Sequence, residues 1–419
     1  MQLILTILTS VFLFDIMSAC PDKCSCYTYP TGIHVNCDTR GLSSIPTNLL
    51  LDSYSVNLNW NSITQIESAS FENMTLLYEV NIAENKISVI DEGAFNNLTS
   101  LRIVNLNGNN ISVIKEGAFR NLPNIRNVYL QYNAIRTFDI RIFRDVPHLN
   151  YLDLRSNKVN TVIIGWFENV TDIDSIDLTY NEVNLDDDYY GNSTIKGLYL
   201  YNCKISIIRR GTFINMPRLN SLDLNNNNIS VIEKDAFINL PALESLDLHG
   251  NKMYAVENGA FQNLARLSYL NLHYCEISVI NSGAFVNLNS LYILNLYSNK
   301  MQTVESGTFQ NLPRLIYIYL YYCEISVIKS RAFVNLENLY QLDLKGNRIT
   351  VIEEGAFINL TALSYLYLHG NKINAVESGT FQNIPSLYYL KLDNCEISVI
   401  KSGTFVNMKS LSYLYVLVE

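Results

Sequence analysis

Charge is scarce in this 419-residue chain: 16% of its residues are charged, against 48% that are hydrophobic. So few charges beside so much apolar side chain exclude a disordered polymer. Positive charge is the scarcer sign. The 30 Lys+Arg against 39 Asp+Glu leave a formal charge of −9, which argues against a nucleic-acid binder, because phosphates call for a basic face. Long apolar runs are missing after Phe14, and a membrane helix needs about 18 such residues. The opening run, Leu3 to Phe14, is too short to span a bilayer and leads into Asp15, Ser18 and Ala19. Residues 1–19 therefore read as a secretory signal peptide cut near Ala19–Cys20, although no Lys or Arg precedes the run. The remainder is expected to be soluble. Catalytic signatures are missing as well: the chain has no GxSxG, HExxH or GxGxxG and no phosphate-binding loop. Neither an enzyme nor a cofactor is expected.

What is present is a repeat. From Ser53 a pattern of 24 residues returns, with units starting at residues 53, 77, 101, 125, 149, 173, 195, 219, 243, 267, 291, 315, 339, 363, 387 and 411. In the unit from Leu291 it comprises Leu291, Leu294, Leu296, Asn299, Met301, Val304, Phe309 and Leu312. The Leu-x-Leu stretch alternates as a strand does, sending its leucines inward. One unit cannot bury them, but stacked units share a continuous core. The Asn at the ninth position is suited to bonding backbone that leaves the sheet. Fourteen of the 17 phenylalanines fall at one late position, Phe71 to Phe405, and should form a stacked spine.

This pattern resembles the leucine-rich repeat family over about nine-tenths of the chain. The fold expected is an α/β solenoid: a horseshoe of about 16 repeats with a parallel β-sheet on the concave face and mostly loop or short helix on the convex side. Ahead of it, Cys20, Cys24, Cys26 and Cys37 crowd into eighteen residues. In an oxidising compartment that is a disulfide framework with three possible connectivities, and a zinc site is disfavoured because no His pair completes it. Cys20-Pro21-x-x-Cys24-x-Cys26, Val35-x-Cys37 and Gly41-Leu42-x-x-Ile45-Pro46 look like the N-terminal cap of extracellular leucine-rich repeat proteins. That resemblance implies Cys20–Cys26 and Cys24–Cys37 pairs, a cap over residues 20–52 and repeats over 53–419. The family usually adds a second cysteine cap, whereas here the repeat from 411 is incomplete and leaves Leu414 and Val416 at an open edge that a partner or second copy could cover.

Two departures interrupt the pattern. Cys203, Cys275, Cys323 and Cys395 take the place of the ninth-position Asn. The nearest pair lies two repeats apart, about 10 Å at ~4.8 Å per strand, so they read as buried thiols rather than disulfides. The repeat at 173–194 has only 22 residues and carries Asp186-Asp187-Asp188, which fits no established calcium loop and reads as a solvated turn and a kink. Elsewhere His249-Gly-Asn-Lys252 returns as His369-Gly-Asn-Lys372, a mark of growth by duplication.

Candidate binding residues lie on the outward positions of the strands. Fourteen tyrosines occupy positions three, five or seven, and ten of these lie from Tyr269 onward: Tyr269, Tyr297, Tyr317, Tyr319, Tyr321, Tyr365, Tyr367, Tyr389, Tyr413 and Tyr415. Tyrosine gives large, rigid, amphipathic contact area, and strand propensity alone does not place it in one half. Position five reads Asp153, Asp177, Tyr199, Asp223 and Asp247 in successive repeats, an acidic stripe that meets a basic patch on a partner or is simply solvated. His249 and His273 are one strand apart, but two ligands are too few to assign a metal. Sequons occur at Asn73, Asn97, Asn110, Asn169, Asn192, Asn228 and Asn359, and four of them share a late position away from the strand. The reading is a secreted or cell-surface protein that recognises a protein or glycan on its concave, Tyr-rich face. The alternative is a matrix component that self-associates through its C-terminal edge; an enzyme or an enzyme inhibitor ranks a distant third.

Overall fold

The computed structural model describes residues 20–143, 146–160, 173–185, 194–382 and 384–417. The expected signal peptide, the Asp186–Asp188 run and the sequons Asn169 and Asn192 lie outside them.

The chain winds into a parallel solenoid whose concave side is one 18-stranded sheet. It opens with an antiparallel hairpin, Ser25–Tyr29 with Gly32–Asn36. The second hairpin strand then pairs in parallel with Ser53–Asn57. From there each repeat adds one short parallel strand, from Glu79–Asn81 to Tyr413–Tyr415, each paired with the next. The central residue of each strand points inward, so Val80, Leu222, Leu294 and Leu366 are all fully or almost fully buried. This alternation is the period-2 consequence of the pleat. On the far side of the core the phenylalanines stack as expected, with Phe95–Phe119 and Phe309–Phe333 centroids both 5.2 Å apart. The Cys20–Cys26 and Cys24–Cys37 disulfides tie down the opening hairpin, burying Val35 and Cys37 against the first repeat.

The convex side is mostly turns and loop, as expected. Among the described residues it holds one 3-10 segment, Ile140–Phe143, and otherwise turns and two-residue bridges such as Val327–Ile328 beside Val351–Ile352. The reason is local. Pairs of left-handed residues, for example Gly307 (φ 73°) and Asn311 (φ 55°), break most of the described convex segments into pieces too short for a helical turn to propagate.

Buried asparagines hold the turns in register. Asn133 Nδ2 donates to Leu106 O and Leu130 O, both at 3.0 Å, while its Oδ1 accepts from Ile111 N at 2.9 Å. One amide thereby satisfies backbone of consecutive turns. Where cysteine replaces it, the thiol keeps one of these bonds: Cys323 Sγ donates to Leu296 O at 3.1 Å. The main chain adapts, with Lys204, Glu276 and Glu324 after three of the cysteines turning left-handed. All four thiols are free and buried, and burial pushes those of Cys203, Cys275 and Cys323 up to about 12.

Candidate functional site: the concave face

Three zones follow one another along the sheet. At the N-terminal end the outward residues are mostly polar, with Asn57, Asn81 and Asn105 at position five of successive strands. Ser55 Oγ lies 2.7 Å from His34 Nδ1, but the other imidazole nitrogen meets the Thr31 hydroxyl at 3.0 Å rather than a carboxylate. The pair therefore lacks the acid that would orient a catalytic base.

The middle zone carries the acidic stripe, and its members are not equivalent. Asp153, expected to point off the sheet, is fully buried beneath the Arg155 side chain, which bonds both of its oxygens. Asp177 lies at the edge of the same guanidinium, 3.6 Å from Nε. Asp223 and Asp247 face each other on adjacent strands in the register that Asp153 and Asp177 also share. Here Asn225 stands where Arg155 did, and it donates to Asp223 through its backbone N–H at 3.0 Å. Burial, aided by the nearby Asp247, raises the Asp223 carboxyl above its ordinary range. A shallow hollow opens over this zone, lined by Asp177, Tyr199, Tyr201, Asp223, Asn225 and His249. Tyr199 lies back across Gly197, where a Cβ would come 3.1 Å from its hydroxyl.

From His249 onward the surface becomes aromatic. His249, His273, Tyr297 and Tyr321 occupy the same repeat position and stack in one column, with centroids 4.3, 4.4 and 4.4 Å apart. Lys345 closes the column, its Nζ 4.4 Å above the Tyr321 ring. This arrangement does not aim His249 and His273 at a common point. The rings are parallel, so their lone pairs cannot converge on one ion, and His249 Nδ1 is engaged by Asp247 at 2.7 Å. Burial, then the neighbouring His249, lowers His273 to about 4, so it is uncharged at neutral pH.

Beside the column lies a carpet of tyrosines. Tyr317 touches Tyr319 (6.2 Å), Tyr365 touches Tyr389 (5.9 Å) and Tyr367 touches Tyr389 (5.6 Å). Tyr389 continues to Tyr413 and Tyr415 at 6.1 and 5.3 Å. Tyr319 joins the carpet to the column through Tyr321, at 6.3 Å. Burial pushes Tyr321 up to about 12, so it stays a neutral hydroxyl. Tyr269, grouped with these from the sequence, stands apart from the ring network, raised by burial and by Asp247. Three flanking tyrosines were missed: Tyr292, Tyr340 and Tyr388 brace the carpet at 5.7, 5.1 and 5.1 Å from Tyr317, Tyr365 and Tyr413. Their shared position two in the repeat was the signal that marks them.

The sequon residues also have a structural cause. Asn73, Asn97 and Asn359 take left-handed backbone, as do Asn121 and Asn335 at the same position without a sequon. Asn tolerates that conformation better than other side chains. Asn359 Nδ2 further donates to Asn335 Oδ1 at 3.1 Å. The shared position is thus fixed by the turn. Asn110 and Asn228 are exposed elsewhere on the turns.

Comparison with known proteins agrees with this geometry. The leucine rich repeat family pattern matches overlapping stretches that together cover residues 54–183 and 193–416. The chain belongs to the leucine-rich repeat family. It is 40% identical to asporin of Bos taurus over 67 residues, 16% of this chain and 17% of asporin, so the likeness touches a small part of that protein. Among solved structures, the glycosylated Drosophila Toll–Spatzle complex aligns with a TM-score of 0.64 at 21% identity, covering 85% of this chain and 53% of the other. A leucine-rich repeat protein of Leptospira interrogans aligns at 0.57 and 22% identity, covering 90% of this chain and 88% of its own. The mouse RP105/MD-1 complex aligns at 0.56 and 22% identity, covering 93% and 68%. These structural likenesses establish the fold.

Proposed function

We propose that this chain is a non-catalytic, extracellular recognition protein whose protein or glycan ligand docks on the tyrosine-rich half of the concave face. The observation that carries the reading is the continuous ring network from Tyr317 through Tyr340, Tyr365 and Tyr389 to Tyr415. Rings held by one another lose little freedom on binding, which makes them efficient anchors. The acidic hollow lined by Asp177 and Asp223, with Asp247 on the neighbouring strand, would give such a ligand a preferred charge and direction. The disulfide-tied cap supports an oxidising compartment, and residues 1–19 as a signal peptide fit that address. Among the described residues no helix is long and apolar enough to cross a membrane. Two structural neighbours were solved as complexes, Toll with Spatzle and RP105 with MD-1, which supports a protein ligand.

The test is a screen of extracellular proteins and immobilised glycans with the wild-type chain and with the Tyr319→Ala/Tyr321→Ala/Tyr367→Ala variant. Loss of the captured ligand by a normally secreted variant supports the reading. Undiminished capture refutes the concave face as the docking surface. Light scattering on the purified chain covers the matrix alternative, which requires self-association at micromolar concentration.

A further inference from the structure

Each repeat places the residue just before its buried Asn or Cys in left-handed backbone, from Trp60 to Asn394. The sheet imposes this. The N–H of that residue reaches a carbonyl of the next repeat, as Tyr132 N does to Arg155 O at 2.9 Å and Tyr322 N to Lys345 O at 3.1 Å. Gly and Asn bear the conformation at little cost, and Gly108, Asn202, Asn226, Gly250, Gly346, Gly370 and Asn394 fill it accordingly. Trp60, Tyr132, Tyr180, Tyr274 and Tyr322 do not, because a bulky side chain there is strained. Burial does not repay the strain: these five are 63, 64, 49, 58 and 57% exposed. Their neighbours nonetheless fix several of the rings. Tyr180 stands edge-on to Tyr201 at 5.0 Å and Tyr274 to Tyr297 at 5.4 Å. Tyr322 lies over Gly346, where any Cβ would collide with it.

We propose that this rim of the sheet is a second interaction surface, built for an extended, basic segment of a partner protein. Tyr132 and Tyr180, like Tyr274 and Tyr322, are two strands apart. That is about 10 Å at ~4.8 Å per strand, the reach of roughly three extended residues. Between the two pairs the rim falls to Asn202, Asn226 and Gly250 and borders the hollow that Asp177, Asp223 and His249 line. Among the described residues the ion pairs on the acidic stripe go to Asp153, Asp177 and Asp247, and none reaches Asp223. A segment with apolar side chains on the tyrosine pairs and a Lys or Arg between them supplies the missing cation. Rigid aromatic anchors interleaved with Ser, Asn and Gly are also the chemistry of protein-binding surfaces.

The test pans phage-displayed random peptides on the whole chain and measures the enriched sequences as synthetic peptides. A basic residue between apolar ones is expected, with affinity at least about tenfold weaker for a Tyr274→Asn/Tyr322→Asn variant. Because Asn accepts the backbone, that variant should melt about 1 °C or more above wild type. A Tyr319→Ala/Tyr367→Ala variant keeps rim peptides and loses only a concave-face ligand, which separates this proposal from the preceding one. An empty selection, peptides indifferent to the rim variant or equally sensitive to the concave one, or a lowered melting point would each overturn it.

Discussion

Arg155 grips the buried Asp153 through Nε at 2.9 Å and Nη2 at 2.6 Å, and its own edge remains 3.6 Å from Asp177 on the next strand. One guanidinium thus serves two carboxylates, one of them shielded from water altogether. Removing it as Arg155→Ala strands a buried charge. Such losses run to about 3–5 kcal/mol for fully buried pairs, and a loss of about 2–3 kcal/mol is expected here because the guanidinium is partly solvated. Urea unfolding of the two chains measures it; a difference below about 1 kcal/mol would mean that Asp153 finds other support.

Asp223 should behave in the opposite sense. Burial, then Asp247, raises its folded pKa above the unfolded value. Protonation therefore favours the fold, and at neutral pH the charge costs stability; the cost is relieved as pH falls through the folded pKa. Asp223→Asn keeps an acceptor for the Asn225 N–H and is expected to raise the melting temperature at pH 7. The gain should shrink towards pH 4. A destabilised variant, or a gain that does not change with pH, would show that the carboxylate is already compensated.

The buried amides allow a sharper comparison. Asn347 Nδ2 donates to Leu320 O and Leu344 O, while Oδ1 accepts from Cys323 N and Ile325 N. Asn347→Ala orphans these backbone groups and is expected to cost about 2–4 kcal/mol. Asn347→Cys should cost visibly less, because Cys323 already shows how a thiol keeps the carbonyl bond. Equal losses in calorimetry would mean that the thiol bond contributes nothing.

Much of this architecture is legible in the sequence because it is periodic. Leu294 and Phe309 recur at fixed offsets, and burial follows directly from the stacking that such offsets require. The different fates of Asp153 and Asp223 are readable too, since the residue two places on is Arg155 in one case and Asn225 in the other. The His249–Tyr321 column was harder to read, because stacking depends on ring orientation rather than on hydropathy. The strained rim escaped for a related reason. Tyr274 and Gly250 share a backbone conformation that only the hydrogen bond to the next turn imposes. The loop-rich convex side was legible as well, and left-handed residues such as Gly307 and Asn311 are what keep it from forming helix.

The rungs formed by Asn133 and its counterparts reach into neighbouring turns, so any cut inside a turn leaves half a rung on each side. Exchanging whole turns lets every rung re-form, because the partners of each Asn in the neighbouring turn are backbone groups. Inheritance by complete 24-residue modules is therefore the route that preserves the frame, and the outward letters on each strand are free to be rewritten one turn at a time. Such a molecule can change what it reads without relearning how to fold.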